Sequence, residues 1–226
     1  MSVDWSKAPK ETSEGTVKIA RAGGENVTVK LKASNPQAVT RANLKGFVES
    51  NGYVSIEAEH YAKKTDVPAA RWEKIDDYGR TLSGMSLFPV TAPSMTSTKD
   101  APALEYQMYL FSTGKAEVDT IMGPTLNFVP GRGIRFTIAF DDQEPKIVDA
   151  IGPLAGRDNL PRDWETIVKD NARHVKTTLD VTSPGYHTLK IWMVDPALVL
   201  QKVVVNMGGL KPSYLGPPES YRAATK

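Results

Sequence analysis

Apolar and polar residues alternate with a period of two along most of this chain. Val27, Val29 and Leu31 interleave with Thr28, Lys30 and Lys32, and Leu104, Tyr106, Met108 and Leu110 interleave with Glu105, Gln107 and Tyr109. The rhythm returns in Ile134, Phe136, Ile138 and Phe140, and again in Leu189, Ile191 and Met193 set against Lys190 and Trp192. A side chain that changes face at every residue buries one row and wets the other, as in an antiparallel sheet with one covered face. Turn-forming residues punctuate these runs: Ala22-Gly23-Gly24, Asn51-Gly52, Ser112-Thr113-Gly114, Pro130-Gly131-Arg132-Gly133 and Ser183-Pro184-Gly185. Many short strands joined by polar turns predict an all-β chain, an antiparallel β-sandwich or jelly roll.

One stretch departs from this pattern. Trp164, Ile167 and Val168, with Val175 beyond, fall at helical spacing, and Asp163 is placed to cap the start. They predict one short helix lying across a sheet edge or end, with Trp164 as a packing residue and Asn171 and Arg173 tying it to the sheet. Residues 1–46 read as an N-terminal β-hairpin segment and linker, because TVKIARAGGENVTVKLKASNP places two alternating runs around a glycine turn. Residues 47–226 then form the sandwich. Its tail from Lys211, rich in Pro, Gly and Tyr, is expected to wrap the surface.

Composition narrows the function. The 226 residues are 40% hydrophobic and 24% charged, enough for a real core. A net charge of +2 gives no phosphate-tracking surface, so nucleic acid is not an expected partner. No stretch reaches the roughly 18 apolar residues of a membrane span, so no membrane partner is expected. Cysteine is absent, which removes disulfides, thiolate zinc sites and a cysteine nucleophile. Neither a G-x-S-x-G elbow nor an H-E-x-x-H motif occurs, and His60, His174 and His187 are scattered. Gly131-Arg132-Gly133 lacks the third glycine of a dinucleotide fingerprint and precedes a strand, so it reads as a turn. Asp141 and Asp142 end a strand and read as a solvated turn rather than a hydrolytic pair. The expectation is a domain without catalysis of its own. The first residues carry no apolar signal region, so a secreted role makes this an internal piece of a longer protein.

Three places offer binding chemistry. Glu57 and Glu59 share one strand face, where they either stand solvated or hold a hard cation with oxygen ligands. Trp72, followed by Tyr78 and Arg80, lies in a loop-like region; its ring either stacks on a sugar or caps the core. Arg80 is suited to a uronate carboxylate. Trp192 falls on the opposite strand face from Leu189 and Ile191, either as an exposed platform or beneath the helix.

The motif I-E-A-E-x-Y, from Ile56 to Tyr61, resembles the opening strand of carbohydrate-binding modules of families 6 and 35. That resemblance implies a structural calcium at Glu57 and Glu59, although the acidic ligand that those families place near the final strand is here replaced by Gln201 or Asn206. A longer resemblance runs through GFVESNGYVSIEAEHY, GRTLSGMSLFPVT, LEYQMYLFSTGKAEV, GIRFTIAFDDQEPKIVD, WETIVKDNAR, GYHTLKIWMVDPALVLQKVVV and SYLGPPES, in that order. Together these segments resemble the C-terminal domain of glycoside hydrolase family 115, the xylan α-glucuronidases. The resemblance implies a parent enzyme that removes glucuronic acid from xylan outside the cytoplasm, with its chemistry in a separate barrel domain. The expectation that follows is an accessory domain beside the catalytic module of the same chain, binding xylan or glucuronoxylan with Trp72, Tyr78, Arg80 and Trp192 as the candidate contacts. The alternative is a purely structural domain that packs against, or dimerises, the catalytic module of an α-glucuronidase or esterase.

Overall fold

The alternating runs become sixteen strands and one helix in the computed structural model, which describes residues 4, 7–129, 131–151, 154–155 and 160–223. Pro130 of the expected turn and residues 224–226 of the tail lie outside the described residues. The chain divides into two compact units, Met1–Leu44 and Lys45–Lys226. The first is a hairpin of β1 (Glu11–Ile19) and β2 (Val27–Asn35), in register from Glu11↔Asn35 to Ile19↔Val27. That register puts Val17, Ile19, Val27, Val29 and Leu31 on one face and Thr16, Lys18, Thr28 and Lys30 on the other.

The second unit contains, in order, β3 (Phe47–Val48), β4 (Tyr53–Glu57), β5 (Lys63–Thr65), β6 (Arg71–Asp76), β7 (Ser83–Phe88), β8 (Ala103–Leu110) and β9 (Gly114–Met122). There follow β10 (Arg135–Phe140), β11 (Lys146–Asp149), β12 (Leu154–Ala155), β13 (Leu160–Pro161), α1 (Trp164–Asp170), β14 (Arg173–Val181), β15 (Gly185–Met193) and β16 (Val199–Asn206). One six-stranded sheet has the order β11-β10-β15-β8-β3, with β5 also on β8; the other runs β14-β9-β16-β7-β6, with β4 also on β16. Apart from the short parallel contact of β3 with β8, the strand pairs are antiparallel. The expected β-sandwich is therefore the observed fold.

Between the sheets, Leu104, Tyr106, Met108 and Leu110 of β8, Phe136, Ile138 and Phe140 of β10, and Leu189, Ile191 and Met193 of β15 are all buried. They meet Val54 and Ile56 of β4, Val118 and Met122 of β9, and Val203 and Val205 of β16 within one core cluster. Each such side chain contributes about 1.5–3 kcal/mol on burial, opposed by the entropy of ordering the chain. Tyr106 is wholly enclosed; its hydroxyl donates to the Ala58 carbonyl at 2.9 Å, and burial pushes its phenol far above the usual range.

The helix is shorter than the sequence pattern suggests. Asp163 stands at the N-cap but makes no capping bond; its carboxylate instead accepts from Arg173 Nη2 at 3.1 Å. Ile167 is the buried helical residue, whereas Val168 is 51% exposed and Val175 belongs to β14. Asn171 closes the helix in the left-handed region at φ 48°, a conformation its short polar side chain tolerates. Arg173 lies beyond the helix, as the first residue of β14, with its guanidinium also bonded to the Ala150 carbonyl at 3.1 Å.

Candidate functional site

The two sheets differ in what covers their outer faces. Across the second sheet lies the segment after β16, which acts as a strap. Pro217 contributes its carbonyl to Ser55 Oγ at 3.2 Å and to Lys202 Nζ at 3.2 Å. Ser220 accepts from the Ser55 amide at 2.9 Å and donates its own amide to the Ser55 carbonyl at 2.8 Å. Further on, the Tyr221 carbonyl accepts from Val48 N–H, and Ala223 N–H donates to Gly46. The free edge of β4 is thereby paired, which is how a sheet avoids edge-to-edge association. Leu210 packs on Val204, Ile121 and Ala172, so the outward row of this sheet is also dry. A cleft of about 580 Å³ is lined by Asn51 and Tyr53 on one side and by Leu210, Pro212 and Pro217 of the strap.

Glu57 and Glu59 sit under this strap, and their surroundings do not fit a divalent cation. Glu57 Oε1 lies 3.0 Å from the ammonium of Lys202, its directly paired neighbour on β16, and both side chains are buried. Glu57 Oε2 accepts from Thr81 Oγ1 at 2.8 Å. Glu59 holds Lys74 Nζ at 3.2 Å and Ser83 Oγ at 3.0 Å. Hydrogen bonds to Asp76, and then to Glu59, keep the Lys74 amine protonated beyond its ordinary range. His60 completes the cluster, with Nδ1 at 2.7 Å from Glu219. The cationic heads already present would repel a metal ion, so this donor set does not fit the calcium expected at Glu57 and Glu59. Gln201 and Asn206 do not complete such a site either. Gln201 occupies a β-bulge between Leu200 and Lys202, accepts from Arg80 N–H at 3.1 Å and donates to the Asn171 carbonyl at 3.3 Å. Asn206 caps the following turn through Gly208 and Leu210.

The expected sugar residues are not brought together. Trp72, on β6, is 1% exposed within the core cluster, and a ring with no open face cannot stack on a sugar. Its assignment to binding is therefore replaced by a packing role. Tyr78 is half-buried over Gly84 and Gly123, where a β-carbon on Gly123 would stand 2.2 Å from the phenolic oxygen; burial raises its pKa. Arg80 donates to the Asp170 carbonyl and lies 5.3 Å from the Tyr214 ring centroid, so its guanidinium joins helix end and strap. Both lie in the loop that joins β6 to β7 of the second sheet. Asp141, at one end of β10, is tied to His187 Nδ1 at 2.7 Å and Thr188 N–H at 2.8 Å, while Asp142 projects into solvent near Lys190.

Trp192 stands apart, on the outer face of the first sheet. Opposite it in register are Ala103 of β8 and Thr137 of β10. The same face carries Lys190, Thr188 and Tyr186 of β15 and Glu105, Gln107 and Tyr109 of β8. At the far end Tyr109 packs against Phe111 and Tyr186, with both centroid separations 5.0 Å. Phe111 is 38% exposed and Tyr186 47%. The six residue steps from Tyr186 to Trp192 span about 20 Å at strand rise. Sequence reasoning overlooked this aromatic trio. The signal available to it was parity: Tyr186 and Tyr109 both alternate onto the polar side.

Two face-to-face antiparallel sheets, one of them strapped by the chain's own tail, define a β-sandwich domain. The chain belongs to the glycosyl hydrolase family 115 C-terminal domain family, whose model matches residues 46–219. It is thus a carbohydrate-associated accessory domain. Among solved structures it is similar to a family 115 4-O-methyl-α-glucuronidase with specificity for decorated arabinogalactans, at 21% identity and TM-score 0.46, over 64% of this chain and 17% of that one. It is also similar to the C-terminal family 6 carbohydrate-binding module of a marine laminarinase from Zobellia galactanivorans, at 13% identity and TM-score 0.45, over 68% and 98% of the two chains. A third likeness is to a Podospora anserina β-(1,4)-mannanase carrying a family 35 module, at 11% identity and TM-score 0.42, over 72% and 29%. The chain spans about a sixth of the glucuronidase it resembles. No curated protein matches it. Among the described residues, no helix is long and apolar enough to cross a membrane.

Proposed function

We propose that this domain is a non-catalytic carbohydrate-binding module of a xylan-degrading, extracytoplasmic enzyme, and that it presents the outer face of its first sheet to xylan or glucuronoxylan. The observation that supports this reading is the placement of aromatic side chains on the outer face of this sheet: a partly buried Trp192 at one end and the Tyr109–Phe111–Tyr186 group, with Phe111 and Tyr186 exposed, at the other. Sugar rings stack their C–H faces on such side chains, while Gln107, Thr188 and Lys190 between them offer hydrogen-bonding groups to hydroxyls. No bond is broken; the module retains the polymer near its parent's catalytic site. Affinity electrophoresis and calorimetry against glucuronoxylan, arabinoxylan and xylo-oligosaccharides test it. Retention by glucuronoxylan that is lost in Trp192→Ala supports the reading, and no retention of the wild type at millimolar ligand rejects it.

A second reading, a structural domain that packs on the catalytic module, is favoured by one feature of the hairpin unit. Ile19 and Val27 are 56% and 58% exposed, on the same face as Val29 and Leu31. An apolar face on a two-stranded hairpin is stable when something covers it. Under this reading the parent's catalytic module supplies that cover, and deleting the hairpin lowers the parent's melting temperature without changing polysaccharide retention.

A further inference from the structure

The two glutamates that a calcium would have used are instead bridged from within the protein. Lys202 is 3% exposed and Glu57 7%, so this is a charge pair taken out of water rather than a surface contact. The ammonium reaches two oxygens on different parts of the chain: Glu57 Oε1 at 3.0 Å on β4 and the Pro217 carbonyl at 3.2 Å on the strap. The carboxylate has a second partner in Thr81 Oγ1, and the Glu57 amide donates to Glu219 Oε1 at 3.0 Å. A buried ion pair is tolerated when its remaining lone pairs and protons are satisfied in this way. The ammonium carried by β16 therefore joins two segments distant from each other in sequence, β4 and the strap.

We propose that Lys202 is a tethered cation that takes over the cross-linking work of a divalent metal, fastening the strap to β4 and making the sandwich independent of calcium. The inference rests on the ion-pair geometry alone and does not depend on the glycan reading. A metal ion needs several oxygen ligands in its shell, whereas an ammonium has three protons to give, and two of them meet the carboxylate and the carbonyl already in place. The tether also cannot dissociate, so chelation has nothing to remove.

The test is a thermal melt of the whole chain in millimolar calcium and in excess chelator, combined with amide hydrogen exchange of the strap. The wild type is expected to melt within about 1 °C in both conditions. Lys202→Met, which keeps the stem and removes the charge, leaves Glu57 buried and unpaired; its melting temperature is expected to fall by about 10 °C. Faster exchange at Ser220 and Ala223 should accompany that fall. Should that variant fail to fold, Glu57→Gln combined with Lys202→Met removes both charges and is expected to recover soluble, calcium-indifferent protein. A wild-type melting temperature raised several degrees by calcium or lowered by chelator overturns the proposal, as does a Lys202→Met variant that melts like the wild type.

Discussion

Asp195 has no exposed side-chain surface, and it lies between Arg135, whose Nε donates at 2.8 Å, and Arg132 at 3.6 Å. Burial alone would push its carboxyl up, but bonds from the Arg135 guanidinium, Ser94 and the Arg135 amide outweigh it and hold the group below its ordinary value. A carboxylate with a depressed folded pKa contributes stability above its unfolded value near 3.9, and loses it as pH falls through the folded value. Urea midpoints are therefore expected to drop steeply below about pH 4, and Asp195→Asn to flatten that acid limb while lowering the plateau at neutral pH. Two tryptophans make the contrast between core and surface. Trp72→Ala should cost about 3–5 kcal/mol, read by urea unfolding, because it empties a filled core site. Trp192→Ala should change stability by less than about 1 kcal/mol and be felt in polysaccharide retention instead. The face of Trp192 was legible from sequence, since the neighbours of a nine-residue strand fix its parity. That of Trp72 was not. It stands among Arg71, Glu73 and Lys74 in a run that reads as polar, and only the opposite sheet reveals that it is covered.

At the scale of elements, the strap shows what a sequence pattern leaves out. Its Pro- and Gly-rich composition announces a segment that follows the surface, and it does. Its target is invisible locally, because Pro217 and Ser55 are 162 positions apart in the chain. The same distance hides the partner of Glu57: alternation places Glu57 on the outer face, but nothing near it in sequence names Lys202. Glu49 makes a similar case. Its carboxylate accepts the Phe111 and Ser112 amides and the Ser112 hydroxyl, so it organises the β8–β9 turn from the residue that follows β3. Removing the strap by truncation after Lys211 is expected to expose the β4 edge together with Ser55 and Lys202. A lower melting temperature and self-association on size exclusion would show it; a monomer with unchanged melting would contradict it.

At the scale of the whole molecule, the fold class was legible because many short alternating runs have few ways to bury their apolar rows. The strand order was not, since pairing across the sheets is decided by packing between remote runs. Both sheets, for example, place a strand from the end of the chain at their centre: β15 between β10 and β8, and β16 between β9 and the β4–β7 edge. Residues 45–226 hold both sheets and the common core, so this portion alone is expected to melt cooperatively, as calorimetry of the fragment would establish.

That late placement of β15 and β16 has a consequence for biosynthesis. Translation delivers β8, β9 and β10 first, and each must wait with an unfilled hydrogen-bonding edge until its central neighbour leaves the ribosome. Neither sheet can therefore close until β15 and β16 have emerged, and the strands made earlier keep an unpaired edge until then.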